Sequence, residues 1–303
     1  MNPYVLILGS NAATPSKDRN PSAQILFLAG KTFLIDCAEG TQMQLVKYKI
    51  KFNNIENIFI SHLHGDHYFG LISLISSFHL LGRKNPLHIY ANADLKNIID
   101  IQLQVSKTTL QYPLYFHSIN AEAFETIFED SNIEIKSFPL EHSISTSGFL
   151  FKEKKKERNI NKSFLRKEKP SIEEIKKIKN GADYINNQGK KYSNEDITFI
   201  HKEPCSYAYC SDTRYSESII KYISGVNILY HEATFKADRQ KNAYEKFHST
   251  TTEAGLIAKK ANVKKLIIGH FSSRYDNLTE LIEETKTVFK NSEIAEQGKK
   301  FLL

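Results

Sequence analysis

Four side chains of the types that bind metal ions fall within six residues of one another. They are His62, His64, Asp66 and His67. They follow the apolar run 57–60, which we interpret as a strand, so they stand on the loop at its carboxyl end, where α/β folds usually place their sites. Alternate residues of an extended loop point the same way, so the two histidines of His-Leu-His are expected to hold one ion while the Asp-His pair turns towards a second. Gly65 is expected to supply the backbone freedom for that turn.

Two ions need further ligands, and three side chains elsewhere are candidates because each stands where an apolar run gives way to a loop. They are His142, Asp212 and His270. Position alone only nominates them, since a lone Asp or His at a strand end is often a turn residue or a hydrogen-bonding core residue. Four other histidines lack this context and are interpreted as structural: His79, His88, His117 and His201.

This set of donor atoms predicts a hydrolase. A pair of metal ions supplies a nucleophile at neutral pH and offsets the negative charge that develops when a phosphodiester is cleaved. Histidine nitrogen and aspartate oxygen suit zinc, although manganese, cobalt and iron also accept them, so the donors leave the identity of the ion open. The alternative from another class is a noncatalytic RNA-binding protein with a structural zinc, but such sites are closed, four-coordinate and usually contain cysteine.

Short strand-like runs and helical periodicities alternate around these residues. The predicted strands are 4–8, 24–28, 32–36, 58–60, 197–200, 207–211, 228–231 and 266–268. The predicted helices are 40–48, 68–81, 94–105, 217–222, 251–260 and 278–289. A turn at Asp130-Ser131-Asn132 is expected to join two further strands. Strands with interleaved helices in both halves predict an α/β fold in which two sheets form a sandwich covered by helices on the outside.

One basic segment interrupts this pattern. Residues 152–191 carry 14 Lys and Arg against 6 Asp and Glu, an excess of eight, whereas the whole chain has a net charge of +7. Phosphate neutralisation requires clustered positive charge, so the segment predicts contact with a polyanion; a solvated charge run is the alternative. Residues 171–179 begin and end with helix signals, which predicts a short helix on a mobile arm.

Composition limits the other possibilities. Three cysteines, Cys37, Cys205 and Cys210, are too few for a disulfide framework, and their odd number fits a reducing compartment. The spacing of Cys205 and Cys210 disfavours a zinc site between them. No window offers the roughly 18 uncharged apolar residues that a membrane span needs, and the first residues lack the pattern of a signal peptide. We therefore expect a cytoplasmic protein with no membrane partner.

Eight short segments, which include all the candidate metal ligands, follow one another in a characteristic order. Besides the segment 61–67 they are Pro15-Ser-Lys-Asp-Arg-Asn20, Asp36-Cys-Ala-Glu-Gly-Thr-Gln42, Glu141-His142, Ser211-Asp212-Thr213-Arg214, His231-Glu-Ala-Thr-Phe235, Phe247-His-Ser-Thr250 and Gly269-His-Phe-Ser-Ser-Arg-Tyr275. The ordered set resembles short-form ribonuclease Z, the tRNA 3′-processing endonuclease family of the metallo-β-lactamase superfamily. The resemblance covers essentially the whole chain except the interior of the basic arm.

The resemblance implies a fold and an activity. The fold is a single metallo-β-lactamase domain over 1–303, an αββα sandwich, with a protruding basic exosite arm at 152–195 that holds the body of the tRNA. The activity is that of a zinc-dependent phosphodiesterase which removes the 3′ trailer from precursor tRNA and leaves a 3′-hydroxyl, through a water activated by two zinc ions per subunit. The glycine-proline element usual near the tip of that arm is absent from this sequence.

The resemblance also implies a role for each site residue. The first zinc is bound by His62, His64 and His142, the second by Asp66, His67 and His270, and Asp212 bridges both. Asp66 also accepts the proton of the attacking water, His248 stabilises or protonates the leaving oxygen, and Glu232 orients His248. Contacts with the RNA are implied for Lys17, Arg19, Asn20 and Arg274.

Two further points follow from the resemblance. Members of the family commonly form homodimers, so we expect a homodimer whose partner is precursor tRNA. The nearest alternative is another enzyme on the same scaffold, a small-molecule or cyclic-nucleotide phosphodiesterase or a less specific nuclease, because a fold does not fix a function. The basic arm and the segment 15–20 favour RNA.

Overall fold

Two seven-stranded sheets dominate the computed structural model, which describes residues 2–200 and 203–303. His201, interpreted above as structural, therefore lies outside the described residues. The chain divides into a main unit, residues 1–152 and 205–303, and a second unit, residues 153–204, which we call the insert.

The chain before the insert forms nine strands and four helices. The strands are β1 (Tyr4–Gly9), β2 (Ala23–Leu28), β3 (Lys31–Cys37), β4 (Ile55–Phe59), β5 (Leu87–Ala91), β6 (Leu114–Ser118), β7 (Glu125–Glu129), β8 (Ile133–Leu140) and β9 (Thr146–Glu153). The helices are α1 (Thr41–Lys47), α2 (Gly65–Tyr68), α3 (Leu71–Leu80) and α4 (Asp94–Val105). The predicted turn joins β7 to β8, and Oδ1 of Asp130 accepts hydrogen bonds from the backbone N–H groups of Asn132 and Ile133.

The elements that the structure describes in the insert are all short. Its strands are β10 (Asn159–Ile160), β11 (Tyr184–Ile185), β12 (Lys191–Tyr192) and β13 (Thr198–Phe199). Its helices are α5 (Lys162–Glu168), α6 (Ile172–Lys179) and α7 (Asn194–Ile197).

The chain after the insert returns to the main unit. Its strands are β14 (Ser206–Cys210), β15 (Ile228–Glu232), β16 (Lys265–Gly269), β17 (Ser292–Ile294) and β18 (Lys300–Leu302). Its helices are α8 (Ile220–Ile223), α9 (Gln240–Glu245), α10 (Thr251–Lys260) and α11 (Thr279–Val288). The N-terminus of α10 has the capping box that its sequence indicates, in which Thr250 and Glu253 satisfy each other's backbone N–H groups.

Three apolar layers hold the main unit together. The first sheet has the strand order β18-β1-β2-β3-β4-β5-β6 and the second β17-β16-β15-β14-β9-β8-β7. Their facing sides share one buried cluster, which includes Phe33 and Phe59 from the first sheet and Phe149 and Tyr207 from the second. Two further clusters pack α1, α3 and α4 on the outer side of the first sheet, and α8, α10 and α11 on the outer side of the second. The predicted αββα sandwich of the metallo-β-lactamase type is confirmed.

Some element predictions were incomplete. Strands β5, β6, β9, β17 and β18 of the main unit were not predicted. Residues 197–200, predicted as one strand, contain the end of α7 followed by the two-residue β13. The predicted helix 68–81 is broken between α2 and α3 at Gly70. The N–H of Gly70 donates to the carbonyl oxygen of Cys37 at 2.9 Å, and a Cβ at Gly70 would lie 2.1 Å from the carbonyl oxygen of Ala38. This close backbone approach turns the chain, and periodicity does not reveal it.

The insert has a small apolar core and further short elements besides the predicted helix. Its core consists of Ile160, Phe164, Ile178, Tyr184 and Ile197. Two strand pairs frame this core, β10 with β13 and β11 with β12. Helix α6 occurs where its signals predict it, with Ser171 and Glu174 forming a capping box. The predicted arm 152–195 overlaps the insert, and its role as an exosite stays a prediction.

Among the described residues, the structure contains no helix that combines the length and the apolar character required to cross a bilayer.

Candidate metal centre

The seven predicted ligands converge from both sheets. His62 and His64 follow β4, Asp66 and His67 lie in α2, and His142, Asp212 and His270 follow β8, β14 and β16. Asp212 and His270 each have a backbone φ of 57°, in the left-handed region that Asp and His tolerate better than most residues. This conformation lets the chain turn sharply out of the strand, so that the side chain faces the edge where the two sheets meet.

Gly65 has another role than the predicted one. It begins α2 and is not among the glycines with positive φ. A Cβ at this position would lie 2.2 Å from Cε2 of Phe69. A Cβ here would displace the exposed ring of Phe69, so glycine leaves room for that ring, and the position does not need a positive φ.

One oxygen of Asp212 faces the first group of histidines. Nδ1 of His64 lies 3.0 Å from Nε2 of His62 and 3.1 Å from Nε2 of His142. Oδ2 of Asp212 lies 3.5 Å from Nε2 of His62 and 3.6 Å from Nε2 of His142. These four residues bring one donor atom each to a common point.

The other oxygen of Asp212 faces the second group. Oδ1 lies 3.2 Å from Nε2 of His67 and 3.1 Å from Nε2 of His270. Oδ2 of Asp66 completes this group, 3.4 Å from Nε2 of His270 and 3.6 Å from Nε2 of His67. Although Nε2 of His67 is close to two carboxylates, it has no partner in hydrogen-bond geometry among the described residues. A buried ring nitrogen of this kind is suited to a metal ion.

Hydrogen bonds fix the orientation of two of the rings. Nδ1 of His142 lies 3.1 Å from the carbonyl oxygen of Phe247, and Nδ1 of His67 lies 2.7 Å from Oδ2 of Asp36. Both partners only accept hydrogen bonds, so Nδ1 carries the proton in each ring and Nε2 of the neutral ring keeps a free lone pair.

In the rings of His62 and His270, too, Nδ1 carries the proton and Nε2 keeps a free lone pair. Oγ of Ser61 donates to Asp36 at 3.0 Å and accepts from Nδ1 of His62 at 3.0 Å. Oγ1 of Thr234 donates to Oε2 of Glu232 at 2.6 Å and accepts from Nδ1 of His270 at 3.0 Å. Lone pairs of all four rings therefore point into the two groups, which is the arrangement that metal ligands have. The residues present fit a metal centre.

Protonation in this site follows the buried charges. Burial and the neighbouring His67 lower the pKa of His62 to about 4. Burial alone would also lower the pKa of His67, but the carboxylates of Asp212 and Asp36 outweigh it and raise that pKa well above its usual value. A metal ion at Nε2 of His67 would therefore have to displace a proton, which leaves the neutral ring with its proton on Nδ1. Burial would raise the pKa of Asp212, but the surrounding histidines hold it well below the usual range. Asp212 is therefore a carboxylate, the form that binds metal.

Glu232 and His248 form a hydrogen-bonded pair beside the two groups of candidate ligands. Oε1 of Glu232 lies 2.9 Å from Nδ1 of His248 and accepts from the N–H of Thr213 at 2.7 Å, while Oε2 accepts from the N–H of Ser249 at 3.1 Å. Burial opposes protonation of His248, but the Glu232 carboxylate outweighs burial and raises the pKa of His248 to about 9. His248 is thus a protonated side chain held at the edge of the metal centre.

An open cleft of about 570 Å³ leads to these groups. The predicted site residues in its wall are His64, Asp66, His142, Asp212, His248 and His270. Glu39, Phe69 and Lys246 also line it, and none of the three was predicted from the sequence. The cleft has the size that small-molecule and cofactor sites have, roughly 300 to 1,000 Å³.

The predicted RNA contacts lie on two loops and do not line the cleft. Arg19 donates to Oδ1 of Asn11 at 3.0 Å and to the carbonyl oxygen of Tyr275 at 2.6 Å, and Oδ1 of Asn20 accepts from Gln44 at 3.1 Å. These contacts hold the loop between β1 and β2. Lys17 and Arg274 are exposed. A role for these four residues in RNA binding stays a prediction.

Asp36 is the residue whose role the sequence did not reveal. It has a φ of 53° at the end of β3, is fully buried, and accepts from Tyr209 at 2.6 Å in addition to Ser61 and His67. The available signal was a charged residue at the end of the apolar run Phe33-Leu34-Ile35.

The fold and the site together define a class. The two-sheet sandwich with histidines and aspartates gathered at its edge is that of metal-dependent hydrolases of the metallo-β-lactamase fold. A solved protein of this fold, YhfI from Bacillus subtilis, superposes with a TM-score of 0.70 at 18% identity, covering 99% of each chain. At that identity the likeness shows the fold alone.

Closer relatives show the family. The chain is 42% identical to a protein named ribonuclease Z from Phocaeicola vulgatus, over 97% of this chain and 95% of that protein. Human tRNase Z, short form (ELAC1), superposes with a TM-score of 0.70 at 26% identity, covering 98% of each chain. The sequence model of the family described as Anti-Pycsar protein Apyc1 matches residues 4–167, a span that ends before Asp212, Glu232, His248 and His270. The chain belongs to the ribonuclease Z family, and over residues 4–167 it also matches the Apyc1 family model.

Proposed function

We propose that this protein is a tRNA 3′-processing endoribonuclease that removes the 3′ trailer from precursor tRNA. The observation that carries the proposal is the Asp212 carboxylate placed between two groups of histidine nitrogens, with the Glu232–His248 pair at the same cleft. This combination suits hydrolysis of a phosphodiester, and relatives that cover nearly the whole chain are named ribonuclease Z and tRNase Z.

The proposed cofactor is a pair of zinc ions in each subunit. His62, His64 and His142 would hold one and Asp66, His67 and His270 the other, with Asp212 between them. Two ligands that each lie about 2.0 to 2.1 Å from a tetrahedral zinc ion are about 3.3 Å apart. Distances of 3.0 to 3.6 Å between the donor atoms of each group support this proposal. When bound, the pair supplies a nucleophile at neutral pH and offsets charge on the phosphoryl group.

The side chains of the cleft supply the proton transfers. Asp66 accepts the proton of the water that attacks phosphorus. Glu232 holds Nδ1 of His248, so Nε2–H of that ring donates to the leaving oxygen. The bond between phosphorus and the 3′-oxygen of the tRNA breaks, which leaves a 3′-hydroxyl on the tRNA and the phosphate on the trailer.

Substrate choice is the first test. We expect the wild-type enzyme loaded with zinc to cut a precursor tRNA that carries a 3′ trailer once, and to release a tRNA with a 3′-hydroxyl and a trailer with a 5′-phosphate. A matched precursor with only a 5′ leader is expected to remain intact, because no 3′ extension reaches the cleft. Product ends are read by mapping on a sequencing gel and by ligation with end-specific ligases.

Bis-p-nitrophenyl phosphate separates this function from the alternatives on the same scaffold. A small-molecule or cyclic-nucleotide phosphodiesterase would cleave this ester or a cyclic nucleotide and leave the precursor uncut, and a less specific nuclease would cut both precursors at many positions. Either result would contradict the proposed function.

The role of His248 predicts an effect that depends on the leaving group. His248→Ala is expected to lower kcat for precursor tRNA by about 10²- to 10⁴-fold, since a 3′-alkoxide needs a proton to leave. For bis-p-nitrophenyl phosphate the loss in kcat is expected to be much smaller, because nitrophenolate leaves without needing a proton. His117→Ala is the control, a histidine outside the cleft. Equal losses on both substrates, with metal content unchanged, would mean that His248 does not donate this proton.

The insert is the proposed exosite for the body of the tRNA. It carries most of the basic excess of the chain, and its lysines are displayed on a folded core that orders them before binding. Lys162, Lys176 and Lys177 are exposed on α5 and α6. Charge arranged in this way binds phosphates without reading sequence.

Substitution of these three lysines tests the exosite better than deletion. Removing 159–187 would delete β10 and most of the insert's core, whereas Lys162→Gln, Lys176→Gln and Lys177→Gln change only charge. We expect the triple variant to raise KM for precursor tRNA about tenfold and to reduce the salt dependence of binding by about one to three ion equivalents, with kcat unchanged. Lys259, Lys286 and Lys290, exposed lysines of the main unit, provide the matched control. A control variant with the same effect would show that net charge alone matters.

A homodimer is proposed on the evidence of one apolar surface. The exposed side chains on the outer side of α1, α3 and α4 include Met43, Val46, Leu80, Leu81, Ile101 and Val105. A hydrogen bond of 2.6 Å from Gln42 to Ser77 joins α1 to α3, so these two helices form one face. Exposed apolar side chains of this kind are typical of an interface. The proposed place of action is the cytoplasm, where precursor tRNA is processed.

Sedimentation equilibrium tests the dimer. We expect twice the 34.8 kDa of one chain for the wild type and a single chain for the variant Leu80→Glu with Val105→Glu, because charges would be buried in the interface. Leu302→Glu, an exposed apolar position on β18, is the control and should remain dimeric. A wild-type protein that sediments as a single chain at micromolar concentration would exclude this dimer.

A further inference from the structure

Phe69 is a large aromatic side chain left open at the catalytic cleft. It is 62% exposed, and it lines the same cleft as His64 and Asp66. Most apolar rings of this fold are buried in one of its three clusters, so an open ring beside the candidate metal ligands suggests that something apolar covers it during function.

The backbone that carries the ring of Phe69 is held by hydrogen bonds before any ligand binds. The backbone N–H of Phe69 donates to the carbonyl oxygen of Gly65 at 3.0 Å, and the N–H of the next residue, Gly70, donates to the carbonyl oxygen of Cys37. The ring occupies the space that a Cβ at Gly65 would need, and the ring of Tyr68 meets it at 5.0 Å with an angle of 71°. One side of the ring therefore rests on Gly65 and Tyr68, and the exposed side lines the cleft.

The chemistry of the cleft points to a nucleotide as the occupant. Lys246 brings a positive charge to the wall, two residues before His248, and suits a phosphate. Proteins recognise single-stranded RNA by stacking unpaired bases on aromatic side chains, and every base has a face that can stack. A precursor with a 3′ trailer is single-stranded at the position where it is cut.

We propose that Phe69 is the stacking platform for the nucleobase of a nucleotide next to the scissile phosphate. This inference rests on the proposed function, since it takes the ligand to be an RNA strand. It adds a binding subsite for one base, which places the phosphodiester bond against the candidate metal groups. The subsite is tolerant of base identity, because stacking and not hydrogen bonding holds the base.

Substrates that lack one base test the subsite. The enzymes are the wild type, Phe69→Leu, Phe69→Trp and Tyr115→Leu, a control that removes an aromatic ring 48% exposed outside the cleft. The substrates are precursor tRNA and two versions with an abasic nucleotide, one at the last tRNA nucleotide and one at the first trailer nucleotide. Metal content and unfolding temperature show that each variant is folded and loaded, and kcat/KM is measured for every pair.

We expect Phe69→Leu to lower kcat/KM for the intact precursor about fivefold to 100-fold, the usual range for losing one stacked base. With the abasic nucleotide at one of the two positions, Phe69→Leu is expected to cause no further loss, because the base that would stack is already absent. Phe69→Trp is expected to retain activity, and Tyr115→Leu to match the wild type on all substrates.

Three results would overturn the subsite. The first is that Phe69→Leu leaves kcat/KM unchanged. The second is that Phe69→Leu lowers kcat/KM equally on the intact precursor and on both abasic substrates. A shift of Phe69→Leu from dimer to single chain, with no coupling to either base, would mean that a second copy of the chain covers the ring. Failure of the wild type to cut any precursor tRNA is a different outcome, since it contradicts the proposed function itself.

Discussion

The carboxylate of Asp212 lies between two groups of histidine nitrogens, and the surrounding structure is arranged to make that position tenable. Its two oxygens face different groups, at 3.5 and 3.6 Å on one side and 3.1 and 3.2 Å on the other. A buried carboxylate is costly unless positive charge compensates it, and metal ions in both groups would do so. Since Asp212 comes from the second sheet and the segment 61–67 from the first, only the edge where both sheets meet can assemble the centre.

Two other buried acids fix the rings around this centre. Asp36, from the first sheet, holds His67 and Ser61 and also accepts from Tyr209 of the second sheet, so it joins the two sheets directly beneath the ligands. Glu232, from the second sheet, holds His248 and, through Thr234, the ring of His270. Such outer partners decide which nitrogen of a histidine is free, and they thereby prepare the site before an ion or a substrate arrives.

The sequence predicted what is local and missed what depends on contacts across the fold. The segment 61–67 was recognised because its donors are adjacent, and the sandwich because its strands and helices have clear periods. Asp212 and His270 were only nominated by position, and the resemblance to a family was needed to group them, since spatial proximity between distant residues leaves no periodic signal. Gly65 was assigned to the wrong cause because its contact with the ring of Phe69, four residues further along, leaves no mark in the sequence pattern. The core of the insert was not predicted, because its few apolar residues are dispersed among many lysines.

The most direct test of this account is the anomalous scattering of crystals grown with zinc, measured on both sides of the zinc absorption edge. The account predicts two peaks per chain, one among His62, His64 and His142 and one among Asp66, His67 and His270, with one oxygen of Asp212 bound to each. A single peak per chain, or two peaks that do not share Asp212, would contradict it.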